Sequence, residues 1–510
     1  MAKDGAPHTR SEITAHPELA VLTGQEMRSA EQAAFARGLP SFEAMRRAGR
    51  AVAELIARRW PPGALNSILV LCGPGNNGGD GFIIAAALQA GGYPVQVQAI
   101  GNAGTRSGDA QQAFAGWNGE TSGLDAAAAA KLGARDLVVD ALFGIGLTRP
   151  LTGDVRAVVE AVNRSGARVV AVDVPSGIDA DSGAVPGAAI RADVTVTFGW
   201  AKRGHLLLPA AAQCGDVVVA DIGCTADDLA DLTIATFRNA PALWRDDYPR
   251  PRPEDHKYKR GHVVMAGGGQ MTGAARLAAR AARRVGIGML TLAVPPAAWP
   301  VYAADQAGAI VKPAVDRADV LALAREDRVT ALLAGSGLAP DSETAGLVRG
   351  CLAVGRPLVI DGGGLTALAQ HGGLKGGRPD VVLTPHEGEF ARLFPDLSAG
   401  GKLERARAAA SLSGCALILK GADTVIAVPD GRAVLCDLGP ANLATAGSGD
   451  VLAGVVAGLL GLGLAPLQAA AMAVWLHSAA ARRVGLGLIA EDLPDLLPVV
   501  LGAALNEALG

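Results

Sequence analysis

The chain has 510 residues, 50% hydrophobic and 19% charged, with a formal net charge of -3, which suits roughly two to four globular domains with sizeable cores. This balance and an aromatic content of 4% supply neither the basic footprint needed on a phosphate backbone nor the stacking platforms of single-strand binders, so nucleic acid is excluded as a partner. The six cysteines form no C-x-x-C pair, segment 1–18 lacks an apolar core of signal-peptide length, and the longest apolar stretch, 451–464, is glycine-containing and short for a membrane span; reduced thiols, a cytoplasmic location and no membrane partner are expected.

Short β-branched runs recur at 67–72, 95–100, 137–142, 169–174, 194–198 and 217–222. Glycine-rich turns and alanine-rich stretches follow them, the signature of parallel βα units. A second set lies at 263–266, 290–294, 331–334, 358–361, 381–383 and 416–419. Between the sets, Pro249, Pro251 and Pro253 alternate with charged residues across 246–259, where neither a helix nor a central strand can continue. The halves share a composition but no repeated motif, so two unrelated α/β domains are expected, 1–245 and 246–510.

The first strand runs into Gly73-Pro74-Gly75-Asn76-Asn77-Gly78-Gly79-Asp80-Gly81, with a helix expected from near Phe82. Glycines let backbone N–H groups approach a pyrophosphate, and a following helix N-terminus favours its charge. The G-x-G-x-x-G spacing from Gly73 to Gly78 is weak alone. A dinucleotide dehydrogenase would place an acid near the end of the second strand to hold a ribose, and 94–101 contains none. A ligand loop is favoured over a turn that needs glycine only for its geometry. Asp140, before Ala141-Leu142-Phe143-Gly144-Ile145-Gly146, and Asp173, opening Asp173-Val174-Pro175-Ser176-Gly177-Ile178-Asp179, end strands at the same sheet edge. Their oxygen groups suit an alkali or alkaline-earth cation and not zinc, so a bound monovalent ion is expected.

These three motifs, in this order, resemble the NAD(P)H-hydrate epimerase family over roughly 20–240. The resemblance implies that Asn76, Asn77, Gly78, Gly79 and Asp80, together with Gly144, Ile145, Gly146, Leu147, Thr148, Arg149 and Pro150, bind a hydrated dinucleotide. It implies a binding and catalytic role for Asp173, and a potassium ion on Asn77, Asp140 and Ser176. Some members carry a lysine where this chain has Thr148 and Arg149.

The second half opens with a strand ending in Gly267-Gly268-Gly269, then Met271-Thr272-Gly273-Ala274-Ala275 at a helix start; Gly335-Ser336-Gly337 is a second glycine turn at a strand end. His386 follows the 381–383 strand beside two acids. An H-E-x-x-H zinc helix would need histidine at position 390, which is Phe390, so metal hydrolysis is excluded and His386 stands as a candidate for substrate contact. Lys420-Gly421-Ala422-Asp423-Thr424 offers an ammonium and a flexible turn to a phosphate or an adenosine. Downstream, Thr445-Ala446-Gly447-Ser448-Gly449-Asp450 leads into an apolar helix. Backbone N–H groups of 446–449 would form an anion hole for a transferred phosphoryl group. Asp450 is a candidate base toward a hydroxyl, or a helix cap, and the two roles are compatible.

Together these segments resemble the ribokinase-like fold, and more closely the ADP- or ATP-dependent NAD(P)H-hydrate dehydratase family, over roughly 250–505. The resemblance implies that Lys420, Gly421, Ala422, Asp423, Thr424 and Gly449 contact the adenine nucleotide, with Mg2+ neutralising its phosphates. Ala274, Gly337, His386 and Asp450 would contact the hydrate, Asp450 being catalytic. At Asp361-Gly362-Gly363-Gly364-Leu365-Thr366 the chain departs from members that carry a second acid and an asparagine near Gly363 and Thr366. The combined expectation is an α/β chain, a Rossmann-like three-layer N-terminal domain plus a ribokinase-like C-terminal domain, forming a homo-oligomer. It would epimerise R and S hydrates of NADH and NADPH and dehydrate the S form. The alternative is a small-molecule kinase of vitamin or sugar type with a non-catalytic nucleotide-sensing N-terminal domain.

Overall fold

Runs such as Ser-Ile-Leu-Val-Leu-Cys at Ser67–Cys72 are apolar without alternation, and they become strands buried on both faces, as parallel sheets require. The structure, a computed structural model, describes residues 16–101, 106–147, 149–305 and 307–506. In the first unit seven parallel strands lie in the order Thr121–Gly123, Val95–Ala99, Ser67–Cys72, Asp136–Ala141, Arg168–Val172, Val194–Phe198 and Asp216–Ala220. The chain starts this sheet at Ser67–Cys72, builds to one side, then returns to build the other. Loops leaving Ser67–Cys72 and Asp136–Ala141 therefore diverge and open a crevice, the switch point where α/β sheets bind ligands. A two-stranded pair, Val21–Leu22 with Ala201–Lys202, lies apart from this sheet.

The helix after the first strand begins at Asn76, ahead of the Phe82 expected from sequence, so the asparagines and Asp80 occupy its opening turns. Glycine is a poor helix former, but here it alone fits: a Cβ on Gly78 would stand 1.9 Å from the Gly73 carbonyl oxygen, and one on Gly79 2.9 Å from Met45 Sδ.

The second unit holds ten strands, ordered Thr236–Arg238, Ala433–Leu435, Val425–Ala427, Ala416–Leu419, Val381–Leu383, Leu358–Ile360, Ala331–Ala334, His262–Ala266, Met289–Val294 and Ile310–Pro313. Its switch point falls between His262–Ala266 and Ala331–Ala334. The sheet is not parallel throughout: Ala416–Leu419, Val425–Ala427 and Ala433–Leu435 pair antiparallel, because the turns joining them are too short for a crossover helix. The compact units divide between Ile234 and Ala235, ahead of the boundary expected at 245–246. Thr236–Arg238 pairs in parallel with Ala433–Leu435, which assigns that segment to the second sheet.

The apolar stretch beginning at Val451 is the buried helix Ser448–Gly461, and among the described residues no helix is long and apolar enough to cross a membrane. Gly454 and Gly458 let this helix lie against Thr272–Arg284: a Cβ on Gly454 would come 2.1 Å from the Ala278 carbonyl oxygen. All six cysteines are free, and burial raises every thiol pKa. Gly454→Val should destabilise the second unit by about 3 kcal/mol through overpacking, read as an earlier denaturant midpoint with an unchanged slope; an unchanged midpoint would show that the helix pair yields.

Candidate active sites

At the first switch point lies a cavity of 410 Å³, lined on its polar side by Asn76, Asn77, Asp80, Asp173, Glu31 and Lys202, with Gly144, Ile145, Gly146 and Leu147 along another wall. Gly78 and Gly79 pack inward, as described, and do not line it. Arg149 and Pro150 are exposed and lie beyond the lining, while Thr148 falls outside the described residues. Of the 144–150 loop that the resemblance places on the ligand, Gly144 to Leu147 line the cavity.

Asp173 carries a left-handed backbone, φ 65°, a conformation costly for an aspartate and held only where surroundings enforce it. Its N–H donates to the Val196 carbonyl at 2.8 Å, and its own carbonyl accepts from His205 Nε2 at 2.9 Å. Lys202, with 1% of its side chain exposed, brings Nζ to 2.9 Å from Asp173 Oδ1. Burial pushes the Asp173 carboxyl up, but the Lys202 ammonium outweighs this and holds it below the usual carboxylate range. Asp80 shows the opposite outcome. Burial drives it well above its ordinary value, with Asp173 and Glu31 adding to the effect. Glu31 is itself raised by burial.

Asp140 and Ser176 are fully buried behind this lining. Asp140 Oδ2 accepts from Ser176 N–H and Oδ1 from Ser176 Oγ, both at 2.7 Å. The Ser176 hydroxyl also accepts from Phe143 N–H at 2.9 Å, which leaves it one lone pair. Burial takes Asp140 to about 6 despite the Ser176 bonds. Asn77 Nδ2 is buried without a hydrogen-bond partner among the described residues, and Asn77 Oδ1 faces Gly144. The Asp140 carboxylate, the Ser176 oxygen and Asn77 Oδ1 are the hard oxygen atoms a desolvated monovalent cation takes, whereas the unpartnered Asn77 Nδ2, a hydrogen donor, offers it nothing.

In the second unit a cavity of 460 Å³ is lined by Lys420, Gly421, Ala422, Thr424, Gly449 and His386, with Leu443, Leu452 and Val474 among its apolar walls. A largely apolar cavity with a few polar groups suits an adenine ring. Asp423 does not join the lining: it is buried and paired with Lys402 at 2.7 Å. His386 lines the cavity but first caps the helix Glu387–Leu393, its Nδ1 accepting from Gly388 N–H at 3.0 Å while its own N–H donates to Glu389.

Gly447, at φ 88°, is the cap residue of Ser448–Gly461, so Asp450 stands in the first turn and does not cap it. The Ser448 N–H donates to Thr445, and the first intrahelical bond runs from Val451 to Gly447. Of the 446–449 donors expected, Ser448 N–H is taken by Thr445, while the N–H groups of Gly449 and Asp450 in the first turn precede the first intrahelical bond. Burial pushes Asp450 up to about 6, the charge of Asp361 adding to it while the Ser336 hydroxyl and Lys420 oppose. Lys420 Nζ sits 3.0 Å from Asp361 Oδ1 and 3.9 Å from Glu389; burial lowers its pKa, but these acids outweigh the penalty and raise it. His477 donates to the Ser448 carbonyl at 2.9 Å and is held neutral by burial, at about 4. Ala274 and Gly337 meet at the switch point, where a Cβ on Gly337 would lie 3.2 Å from Ala274 Cβ. They are outside the 460 Å³ cavity and adjoin Asp450 through Ser336.

A family model described as NAD(P)H-hydrate dehydratase matches residues 262–497, and one described as YjeF-related protein N-terminus matches 41–204. The bifunctional NAD(P)H-hydrate repair enzyme Nnr of Moorella thermoacetica is 38% identical over 94% of this chain and 96% of its own. That of Thermofilum pendens is 37% identical over 92% and 94%. The chain belongs to the bifunctional NAD(P)H-hydrate repair enzymes. It joins an epimerase and a nucleotide-dependent dehydratase in one polypeptide. A solved structure, the ADP/ATP-dependent NAD(P)H-hydrate dehydratase from Bacillus subtilis co-crystallized with ATP/Mg2+, is 30% identical, covers 52% of this chain and 98% of its own, and has a TM-score of 0.46.

Several residues of this repair enzyme's sites escaped sequence reasoning. Lys202 and Thr197 were passed over, although Lys202 follows the Val194–Phe198 strand at the edge where ligands bind. Asp361 was read only within a departure from the family pattern; its position at the end of Leu358–Ile360 was the available signal. That departure has a steric cause: a Cβ on Gly363 would lie 2.0 Å from the Leu338 carbonyl oxygen. Gly144→Val should fill the first cavity, since even a Cβ there lies 2.9 Å from Asp173 Oδ2. Calorimetric titration with the hydrate should show binding to this unit weakened at least about tenfold, the 1.4 kcal/mol expected from a steric conflict of this size.

Proposed function

We propose that the second unit dehydrates the S hydrate through a transient phosphate ester, and that the observation carrying this reading is Asp450 in the first helical turn directly after Gly449, which lines a nucleotide-sized cavity that Asp450 itself does not line. Asp450 takes the proton of the hydrate's hydroxyl as that oxygen attacks the terminal phosphorus of ADP or ATP, releasing AMP or ADP. The carbon–oxygen bond then breaks, phosphate leaves, and loss of a proton from the neighbouring ring carbon restores the double bond of NADH or NADPH. The helix N-terminus and Lys420 face the charge that develops on the phosphoryl group. Among the described residues no three His, Cys, Asp or Glu side chains are arranged to hold a metal, so Mg2+ would enter on the nucleotide phosphates, whose charge it neutralises.

In the first unit, inversion at the hydroxyl-bearing carbon requires the hydroxyl to depart as water and a water to add from the opposite face. Asp80, kept protonated by burial, is the group suited to give the proton, and ionised Asp173 is suited to accept one. The next turnover begins once that proton has moved back between them through the cavity. A potassium ion held by Asn77, Asp140 and Ser176 would compensate the buried Asp140 charge and fix the loop that follows it.

Asp450→Asn should lower dehydration of the pure S hydrate by about 100-fold or more while R-to-S exchange continues at the wild-type rate; full turnover in the variant would remove Asp450 as the base. Because a base must be ionised, and Asp450 lies at about 6, dehydratase kcat/KM should fall as pH drops through that value and level off above it. Replacing K+ by tetramethylammonium should slow epimerisation and leave dehydration unaffected.

A further inference from the structure

We propose that Lys202 is a positioning residue for epimerisation: it ties down one oxygen of Asp173 and leaves the other facing the cavity. This rests on the reading of Asp173 as the proton acceptor. An ammonium has three protons, and those of Lys202 have three acceptors, Asp173 Oδ1 at 2.9 Å, Thr197 Oγ1 at 2.8 Å and the Phe198 carbonyl at 3.0 Å. The Thr197 hydroxyl, accepting from Lys202, donates onward to the same Asp173 oxygen at 3.1 Å. Oδ1 is therefore occupied twice. Among the described residues Oδ2 receives only the Ile145 N–H, at 3.3 Å, and it points at Gly144, where the cavity begins.

The backbone closes a ring around this pair. The Lys202 N–H donates to His205 Nδ1 at 3.0 Å, which leaves the His205 proton on Nε2 to donate to the Asp173 carbonyl. Backbone and side chain of Lys202 thus both bear on the residue with the left-handed φ. A lysine buried to this extent costs stability unless paired, and among the described residues its only charged hydrogen-bond partner is the group proposed to react.

The test uses the full chain with Lys202→Met, which keeps the length and loses the charge, and Lys202→Ala, which leaves room for a small amine. For R hydrate, kcat of epimerisation in Lys202→Met should fall about 100-fold, while KM stays within about threefold, the pattern of lost transition-state alignment. Adding ethylammonium to Lys202→Ala should restore kcat at least about tenfold, since effective positioning can be supplied in part from solution. A lysine needed only for packing would show neither the split nor the rescue, and unchanged kcat, or a loss confined to KM, overturns the proposal. Should both variants unfold early, Thr197→Val removes the second donor to Oδ1 together with one of the three acceptors that hold Lys202; kcat is then expected to fall about tenfold with KM kept, and wild-type kcat would refute the assignment. If Asp173→Asn retains epimerisation, the underlying reading of the site fails; if it is inactive while the Lys202 variants are normal, only the role of Lys202 fails.

Discussion

At both switch points the chain leaving one strand rests directly on the backbone leaving its neighbour. A Cβ on Gly73 would lie 1.7 Å from the Leu142 carbonyl oxygen, one on Gly268 1.8 Å from that of Gly337, and one on Gly335 1.8 Å from that of Asp361. No side chain fits between these loops, so each brings its own polar residues within reach of the next. The Asn76–Ala90 helix can start against the Leu142–Leu147 loop only because Gly73 and Gly78 occupy no space. Asp361 likewise reaches Lys420 from a loop that Gly335 allows to sit close.

Given that geometry, each site places one lysine among carboxylates, Lys202 buried and Lys420 half-buried, with opposite results. In the first, Lys202 pairs with the acid proposed to react, and Asp173 stays ionised while its neighbour Asp80 is pushed toward the neutral form. In the second, Lys420 pairs with Asp361, and the proposed base, Asp450, is left at about 6. The difference follows from which carboxylate the ammonium touches. Breaking either pair would strand a buried charge at a cost of about 3–5 kcal/mol, so these lysines bear on stability as well as reactivity.

Much of this was legible in the sequence. The central strands, the glycine motifs, and Asp140, Asp173, Lys420 and Asp450 could be found because strand ends in parallel sheets announce themselves through unbroken apolar runs followed by glycine. What stayed hidden depends on contacts distant along the chain. Lys202 gains its meaning from Asp173, and Lys402 from Asp423. The helix start at Asn76 was missed because intrinsic propensity argues against Asn-Asn-Gly-Gly as a helix, and only tertiary crowding overrides it. The short edge strands, among them Val425–Ala427 and Ala433–Leu435, carry too few residues for a periodic signal.

The strand Thr236–Arg238 precedes the proline-rich segment that looks like a linker, yet it completes the far side of the second sheet. Arg238 pairs with Asp437 through two bonds of 2.8 Å, and Asn239 donates to the Ala471 carbonyl at 2.8 Å. Separating the halves at the prolines would leave Ala433–Leu435 with an open row of N–H and C=O groups, a template for intermolecular pairing. The amputated strand would trail from the other fragment as a loose apolar end. The natural seam for dissecting this polypeptide lies in front of Ala235, and a fragment cut elsewhere would be prone to aggregate for reasons unrelated to its catalytic competence.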